Sequence, residues 1–302
     1  MNACLVASQH SRLRPVARFA LLILWLCWSG LLAAAPAPVK VAVGVPVLKT
    51  FVERIGGTRV EALVLQGGGD PHAFEPSARQ IAGLTEARLY VLAGLPFEAA
   101  WLPRLQAVNP DLRVLDLREA VTTRALDDPW ANNGASQARF PDPHVWTDPQ
   151  GALPLVAAIA AQLTIMDPAG EAAYRAGSQR LSQDLRALET EITPLLAPLR
   201  GGILLVFHPG WGYLADHHGL RQIPIEVAGR EPSASQLNRL ITLSQQERVN
   251  ALFLQPGHGD RLARQLAREL DIPVVIADPL AADYFGNVRA LVRALAKPAV
   301  RP

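Results

Sequence analysis

Seven histidines are spread over 302 residues, and three of them adjoin a proline: Pro71-His72, Pro143-His144 and His208-Pro209. Two of the three repeat one tripeptide, Asp-Pro-His, in "GGGDPHAFEP" and in "FPDPHVWTDP". Each of the three follows an apolar run or lies in a loop. That puts an imidazole at the carboxyl edge of a sheet, where an open α/β sheet binds ligands. The neighbouring proline fixes the backbone and reduces the entropy lost when the ring is aimed at a metal. A lone loop histidine is ordinarily a surface or turn residue; three in the same setting weaken that reading. Asp278, in "VVIADPLAADYF", closes the last apolar run. It reads either as a fourth ligand or as the N-cap of the next helix with Pro279 at its first position. Three imidazoles and one carboxylate complete a four-donor sphere suited to Zn²⁺, with Zn–N near about 2.0–2.1 Å.

The remaining histidines read differently. His10 belongs to the leader. His217 and His218 fall on a helical pattern after His208 and read as surface or packing residues, and His258 in "LFLQPGHGD" reads as a solvated loop residue. Phe74, Trp146, Trp211 and Tyr213 flank the candidate ligands. They read either as a dry wall controlling solvent access to a metal or as ordinary core.

The elements that must hold these residues are legible from the apolar pattern. Runs at 39–45, 60–65, 88–94 and 113–117, then at 201–207, 249–255 and 273–278, alternate with amphipathic stretches such as 77–86 and 98–108. Short, nearly continuous apolar strands between helices predict a parallel, helix-covered sheet made twice. Self-similarity supports the doubling: "EPSARQIAGL" begins at Glu75 and "EPSASQLNRL" at Glu231, each with a Ser and a Gln three residues apart in a capping box. Between them, 167–200 reads as a helix opened by Asp167 and Pro168. About 25 helical residues would make a stiff connector roughly 38 Å long. An ordinary surface helix of the second lobe is the alternative. The stretch 122–140 has turn formers and no period, and reads as a long surface loop.

Three arginines, Arg12, Arg14 and Arg18, precede an apolar run at 19–32 and the small residues Ala33, Ala34 and Ala35, the layout of a cleaved secretory signal. The run is short for a membrane span, and Trp25 and Leu26 ahead of Cys27 do not make a lipoprotein box. Both cysteines, Cys4 and Cys27, leave with the leader, so any metal must be held by nitrogen and oxygen. Loss of the leader removes three arginines and no acid, leaving 26 basic against 27 acidic residues. That balance does not point to nucleic acid.

The strings "GGDPHAFEPS", "DPHVWTDP", "FHPGWGYLADHHGL", "IEVAGREPSASQL" and "IADPLAADYFGN" resemble, in order, the motifs of the zinc/manganese-type ABC transporter solute-binding proteins. The resemblance implies an α/β chain of two related lobes joined by a long rigid linking helix, with one metal in the inter-lobe cleft. It divides the chain into a leader at 1–37, a first lobe at 38–166, the linking helix at 167–199 and a second lobe at 200–302. Carried over motif by motif, the metal ligands are His72, His144, His208 and Asp278. The implied ligand is Zn²⁺ rather than Mn²⁺, because a histidine stands at position 208 where manganese members tend to have glutamate. The implied setting is a periplasmic monomer that delivers its metal to a membrane permease with its ATPase. Two departures stand out: 122–140 carries no histidine where many zinc members have a histidine-rich loop, and Gln255 stands where relatives often have an acid. The alternatives are an exported zinc hydrolase with a three-histidine zinc, and a manganese-binding or adhesin member of the same family.

Overall fold

The computed structural model describes residues 37–66, 74–127, 141–226, 229–247, 249–257 and 259–297. Residues 1–36, His72, His258 and most of the 122–140 loop lie outside these residues. The first series of elements runs β1 (Val39–Val43), α1 (Pro46–Gly56), β2 (Val60–Val64), α2 (Ala78–Leu84), β3 (Leu89–Leu92), α3 (Pro96–Val108) and β4 (Arg113–Asp116). Two long helices follow, α4 (Pro149–Met166) and α5 (Glu171–Leu196). The second series is β5 (Ile203–Val206), α6 (Gly212–His218), β6 (Arg221–Pro224), α7 (Ala234–Gln246), β7 (Leu252–Leu254), α8 (Asp260–Leu270), β8 (Val274–Ile276) and α9 (Tyr284–Ala296).

The strands form two four-stranded sheets, ordered β2-β1-β3-β4 and β6-β5-β7-β8. Every pairing is parallel. The same strand order occurs twice, and the repeated peptide opens the helix before the third strand in each: α2 and α7. Ser77 and Ser233 each accept the amide of the residue three along and donate their own amide to Gln80 or Gln236 at 2.8 Å. The internal repeat in the sequence is therefore a repeat of topology. Along β5 the side chains alternate: Leu204 and Val206 join the large core shared with the first sheet, whereas Ile203, Leu205 and Phe207 build a smaller core on the opposite face. This is the period-two alternation of a strand covered on both sides.

Three local features differ from the sequence reading. Strand β6 was not legible as a strand, because "RQIP" is polar and ends in proline. It is tolerated because β6 is an edge strand paired only with β5. Helix α3 begins at Pro96 rather than Glu98, with the Glu98 carboxylate turned back on the helix start: it accepts the amides of Ala93, Gly94 and Leu95 and the Tyr90 hydroxyl. Asp167 does not cap a helix with its side chain, and a short 3-10 turn at Pro168–Gly170 precedes α5. Its carboxylate instead takes the Arg59 guanidinium at 2.9 Å and the Tyr174 hydroxyl at 2.8 Å.

At 26 residues α5 is about 39 Å long, and it packs on α4, α1 and α9. Its approach to α1 depends on Gly177, where an added Cβ would lie 2.1 Å from the Ile55 carbonyl oxygen. That neighbour is backbone and cannot turn aside. Gly177→Ala is expected to destabilise the protein by about 2 kcal/mol, the overpacking cost outweighing the roughly 1 kcal/mol gained in helix propensity. An unchanged denaturation midpoint would show that α1 and α5 move apart freely.

The segment before α9 crosses to the first series of elements. The Leu280 carbonyl accepts the Val47 amide at 3.2 Å, the Ala282 carbonyl accepts the Thr50 hydroxyl at 2.8 Å, and Tyr284 meets Phe51 edge-on at 5.3 Å.

Candidate metal centre

In parallel sheets all the strands end on the same edge. His208 lies two residues beyond the end of β5, Glu226 two beyond β6 and Asp278 two beyond β8. His144 enters from the other half of the chain, just before a 3-10 turn at Val145–Thr147 that leads through Asp148 into α4. The two imidazoles meet edge to face with ring centroids 5.2 Å apart, and their Nε2 atoms are 3.4 Å apart.

Each ring is held from behind by a carboxylate. Asp142 Oδ1 lies 2.8 Å from His144 Nδ1 and also accepts the His144 backbone amide at 3.0 Å. Glu226 Oε1 lies 2.7 Å from His208 Nδ1. An ionised carboxylate only accepts, so the Nδ1 atom facing each one carries a proton. Burial works against charge on Asp142, but the hydrogen bonds from His144 and from Arg124 outweigh it and hold the carboxyl below its usual range. Arg124 contacts Asp142 Oδ2 at 3.0 Å and is itself fastened by Asp127 and Asp216.

The repeated tripeptide now has a local explanation. In Asp142-Pro143-His144 the first residue orients the third across a rigid proline. The equivalent geometry at Asp70-Pro71-His72 lies outside the described residues. Glu226 was not singled out in the sequence. The signal that could have found it is its place just past an edge strand, and that strand was itself unrecognised.

Asp278 lies within electrostatic reach of His208. Burial pushes its carboxyl above the usual range, with the Leu280 amide and His208 opposing. Its Oδ1 accepts the Leu280 amide at 2.9 Å, and Asn287 clamps its backbone on both sides. A cavity of about 880 Å³ opens onto both imidazoles, with Leu95, Leu102, Arg118 and Pro143 in its wall.

Of the flanking aromatics, Trp146 is buried edge-on against His144 at 5.7 Å and donates Nε1–H to the Pro279 carbonyl at 2.7 Å, joining the two halves beside the site. Tyr213 donates to the Asp142 carbonyl at 2.8 Å. Trp211 is buried and Phe74 packs on Phe97. His217 and His218 are not free surface residues: both are drawn into a polar cluster with Asp148 and Glu189. Gln255 is buried.

Replacing Glu226 with Gln keeps the shape and removes the charge behind His208. A lost carboxylate partner of a ligating histidine typically costs about 10–100-fold in metal affinity. We expect that loss for zinc in a competition titration, and an unchanged affinity would place His208 outside the metal's coordination.

Fold and site together define a two-sheet α/β protein with carboxylate-oriented imidazoles converging at the carboxyl ends of its strands. Residues 41–298 match the family described as zinc-uptake complex component A, periplasmic, and the chain belongs to that family. It is 27% identical over 264 residues to the high-affinity zinc uptake system protein ZnuA of Paracoccus denitrificans, covering 76% of this chain and 79% of that one. It is 25% identical over 245 residues to the zinc-binding lipoprotein AdcA of Streptococcus pneumoniae, covering 76% of this chain and 48% of AdcA, so it spans about half of that relative's length. A zinc-bound crystal structure of a ZnuA lacking residues 138–173 in that protein's own numbering superposes with a TM-score of 0.79 at 33% identity, covering 88% of this chain and all of the other.

Proposed function

We propose that the protein is the periplasmic solute-binding component of an ABC importer, taking up Zn²⁺ in the cleft and handing it to a membrane permease with its ATPase. The observation that carries this reading is the separation of the two imidazoles. A tetrahedral site with Zn–N of about 2.0–2.1 Å has ligand–ligand edges of roughly 3.3–3.4 Å, and the Nε2 atoms of His144 and His208 stand 3.4 Å apart. A cation seated between the two Nε2 atoms would meet both rings at once.

In this reading His72 and Asp278 supply the other two donors. Four protein donors fill a tetrahedral zinc and leave no coordinate for a reactive water, which supports transport over hydrolysis. Nitrogen donors favour Zn²⁺ over Mn²⁺, which prefers oxygen. The lobes are residues 38–166 and 200–302, with 167–199 as the stiff element between them and 1–37 as the cleaved leader. His144 comes from the first lobe and His208 from the second, so binding draws on both.

The test is metal content and affinity of the exported protein after chelator treatment. Zn²⁺ is expected to bind far more tightly than Mn²⁺ in direct competition. Comparable affinities, or a zinc affinity untouched by loss of His208, would sink the reading.

A further inference from the structure

A second group of metal-type donors lies away from the cleft, where α4, α5 and α6 meet. Asp148 caps the start of α4, Glu189 lies along α5, and His217 and His218 are the last two residues of α6. The two rings stack with centroids 4.8 Å apart and an interplanar angle of 26°. His218 Nε2 is 3.6 Å from Glu189 Oε1, and His217 Nε2 is 4.0 Å from the same oxygen. Asp148 Oδ1 is 2.9 Å from His217 Nδ1. One donor atom from each of the four residues falls within 4.8 Å of the others.

Asp148, Glu189 and His218 are all buried, and His217 alone reaches solvent. Among the described residues, His218 Nε2 and Glu189 Oε2 have no hydrogen-bond partner although both are buried. The hydroxyl of Tyr284, in electrostatic contact with Asp148 and Glu189, is likewise buried without one. Buried polar groups are ordinarily paired, so a cluster of unpaired ones at one point calls for a further partner. His218 Nε2 and His217 Nε2 face Glu189 Oε1, which also accepts the Thr193 hydroxyl at 2.8 Å, and a divalent cation is a partner that imidazole nitrogens and a carboxylate share.

We propose that His217, His218 and Glu189 form a second divalent-cation site, suited to Zn²⁺, with Asp148 orienting His217 through Nδ1. The donor set is two imidazoles and a carboxylate, a combination zinc favours. The gaps of 3.6 and 4.0 Å from Glu189 Oε1 to the two Nε2 atoms exceed a tetrahedral edge of roughly 3.3–3.4 Å by about 0.2–0.7 Å, which side-chain rotation must close. The carboxylate behind His217 repeats the arrangement behind His144 and His208. The exposed side of His217 provides the entry path and room for a water as fourth ligand. The site shares no donor with the cleft, so it does not depend on the importer reading. Its occupancy would pin the end of α6 to α4 and α5.

The experiment is equilibrium dialysis of the chelator-stripped exported protein against micromolar Zn²⁺, with metal counted per chain, for wild type, Glu189→Gln, His217→Asn and His208→Ala. The expected counts are two zinc ions for wild type and one for each single variant, and none for Glu189→Gln combined with His208→Ala. His217→Asn alters a partly exposed side chain and keeps the test valid if Glu189→Gln impairs folding. One zinc in wild type, lost in His208→Ala and kept in Glu189→Gln and His217→Asn, would overturn the second site and leave the cleft reading standing. Two zinc ions in wild type with His208→Ala unchanged and the other two variants reduced to one would uphold the second site and count against the cleft.

Discussion

Alanine at His144 or at His208 is expected to lower zinc affinity by more than about 100-fold, because removing a ligand must exceed the 10–100-fold typical of removing only its carboxylate partner. The consequence for stability follows by mass action. Zinc at a thousandfold excess over its dissociation constant adds about 4 kcal/mol to a protein that binds it only when folded. A hundredfold weaker site at the same zinc concentration adds about 1.4 kcal/mol or less. The two variants should lose the increment alike, since the Nε2 atoms 3.4 Å apart come from opposite halves of the chain and neither half alone offers the pair. Melting curves with and without zinc, recorded in the Glu189→Gln background so that the α6 cluster does not contribute, provide the measurement. A full zinc-dependent shift in either variant would refute a site shared between the halves.

Glu98→Gln should destabilise the protein by roughly 2–5 kcal/mol at acid to neutral pH, with no effect on zinc preference. Oε1 accepts the Tyr90 hydroxyl and the Ala93 amide, and Oε2 accepts the Gly94 and Leu95 amides. A glutamine must turn its NH₂ toward one of these pairs, leaving two buried donors unpaired at about 1–3 kcal/mol each, whereas a protonated carboxyl keeps acceptor lone pairs on both oxygens. The site has no slack, since a Cβ on Gly44 would collide with Glu98 Oε1.

The effect of Glu98 also has a pH signature. Burial pushes its carboxyl up to about 7, against the opposing hydrogen bonds from Ala93, Leu95, Tyr90 and Gly94. A raised carboxyl means the folded state holds the proton more tightly than the unfolded one. Its contribution is therefore fully present below the unfolded value of 4.5 and is lost as pH rises through about 7. At about 1.4 kcal/mol per unit, the loss across that window is on the order of 3 kcal/mol. The wild-type advantage over Glu98→Gln should shrink accordingly between pH 4.5 and 8 in denaturant titrations. A gap that widens with pH would mean that Glu98 is held ionised by its four donors.

Local signals were read correctly where the physics is local. The capping boxes at Ser77 and Ser233 act over three residues, and the apolar runs mark most strands because a strand covered on both faces must be apolar throughout. The repeat at Glu75 and Glu231 therefore disclosed a doubled sheet. His208 was legible from a strand end followed by proline, and His144 from the repeated Asp-Pro-His tripeptide. Asp278 was legible as a strand-end carboxylate, and the structure places it within electrostatic reach of His208.

What the sequence by itself determined about this protein is its set of elements, the doubled parallel architecture and the imidazoles worth watching. Only the tertiary structure decided which atoms face one another. Glu226 became the partner of His208 because an unrecognised edge strand ends beside β5. Asp148, Glu189, His217 and His218 became neighbours because three helices converge from distant parts of the chain. Capping and proline geometry are set by backbone torsions within a turn, whereas these encounters are set by how sheets and helices bury their apolar faces, and no window of a few residues contains that information.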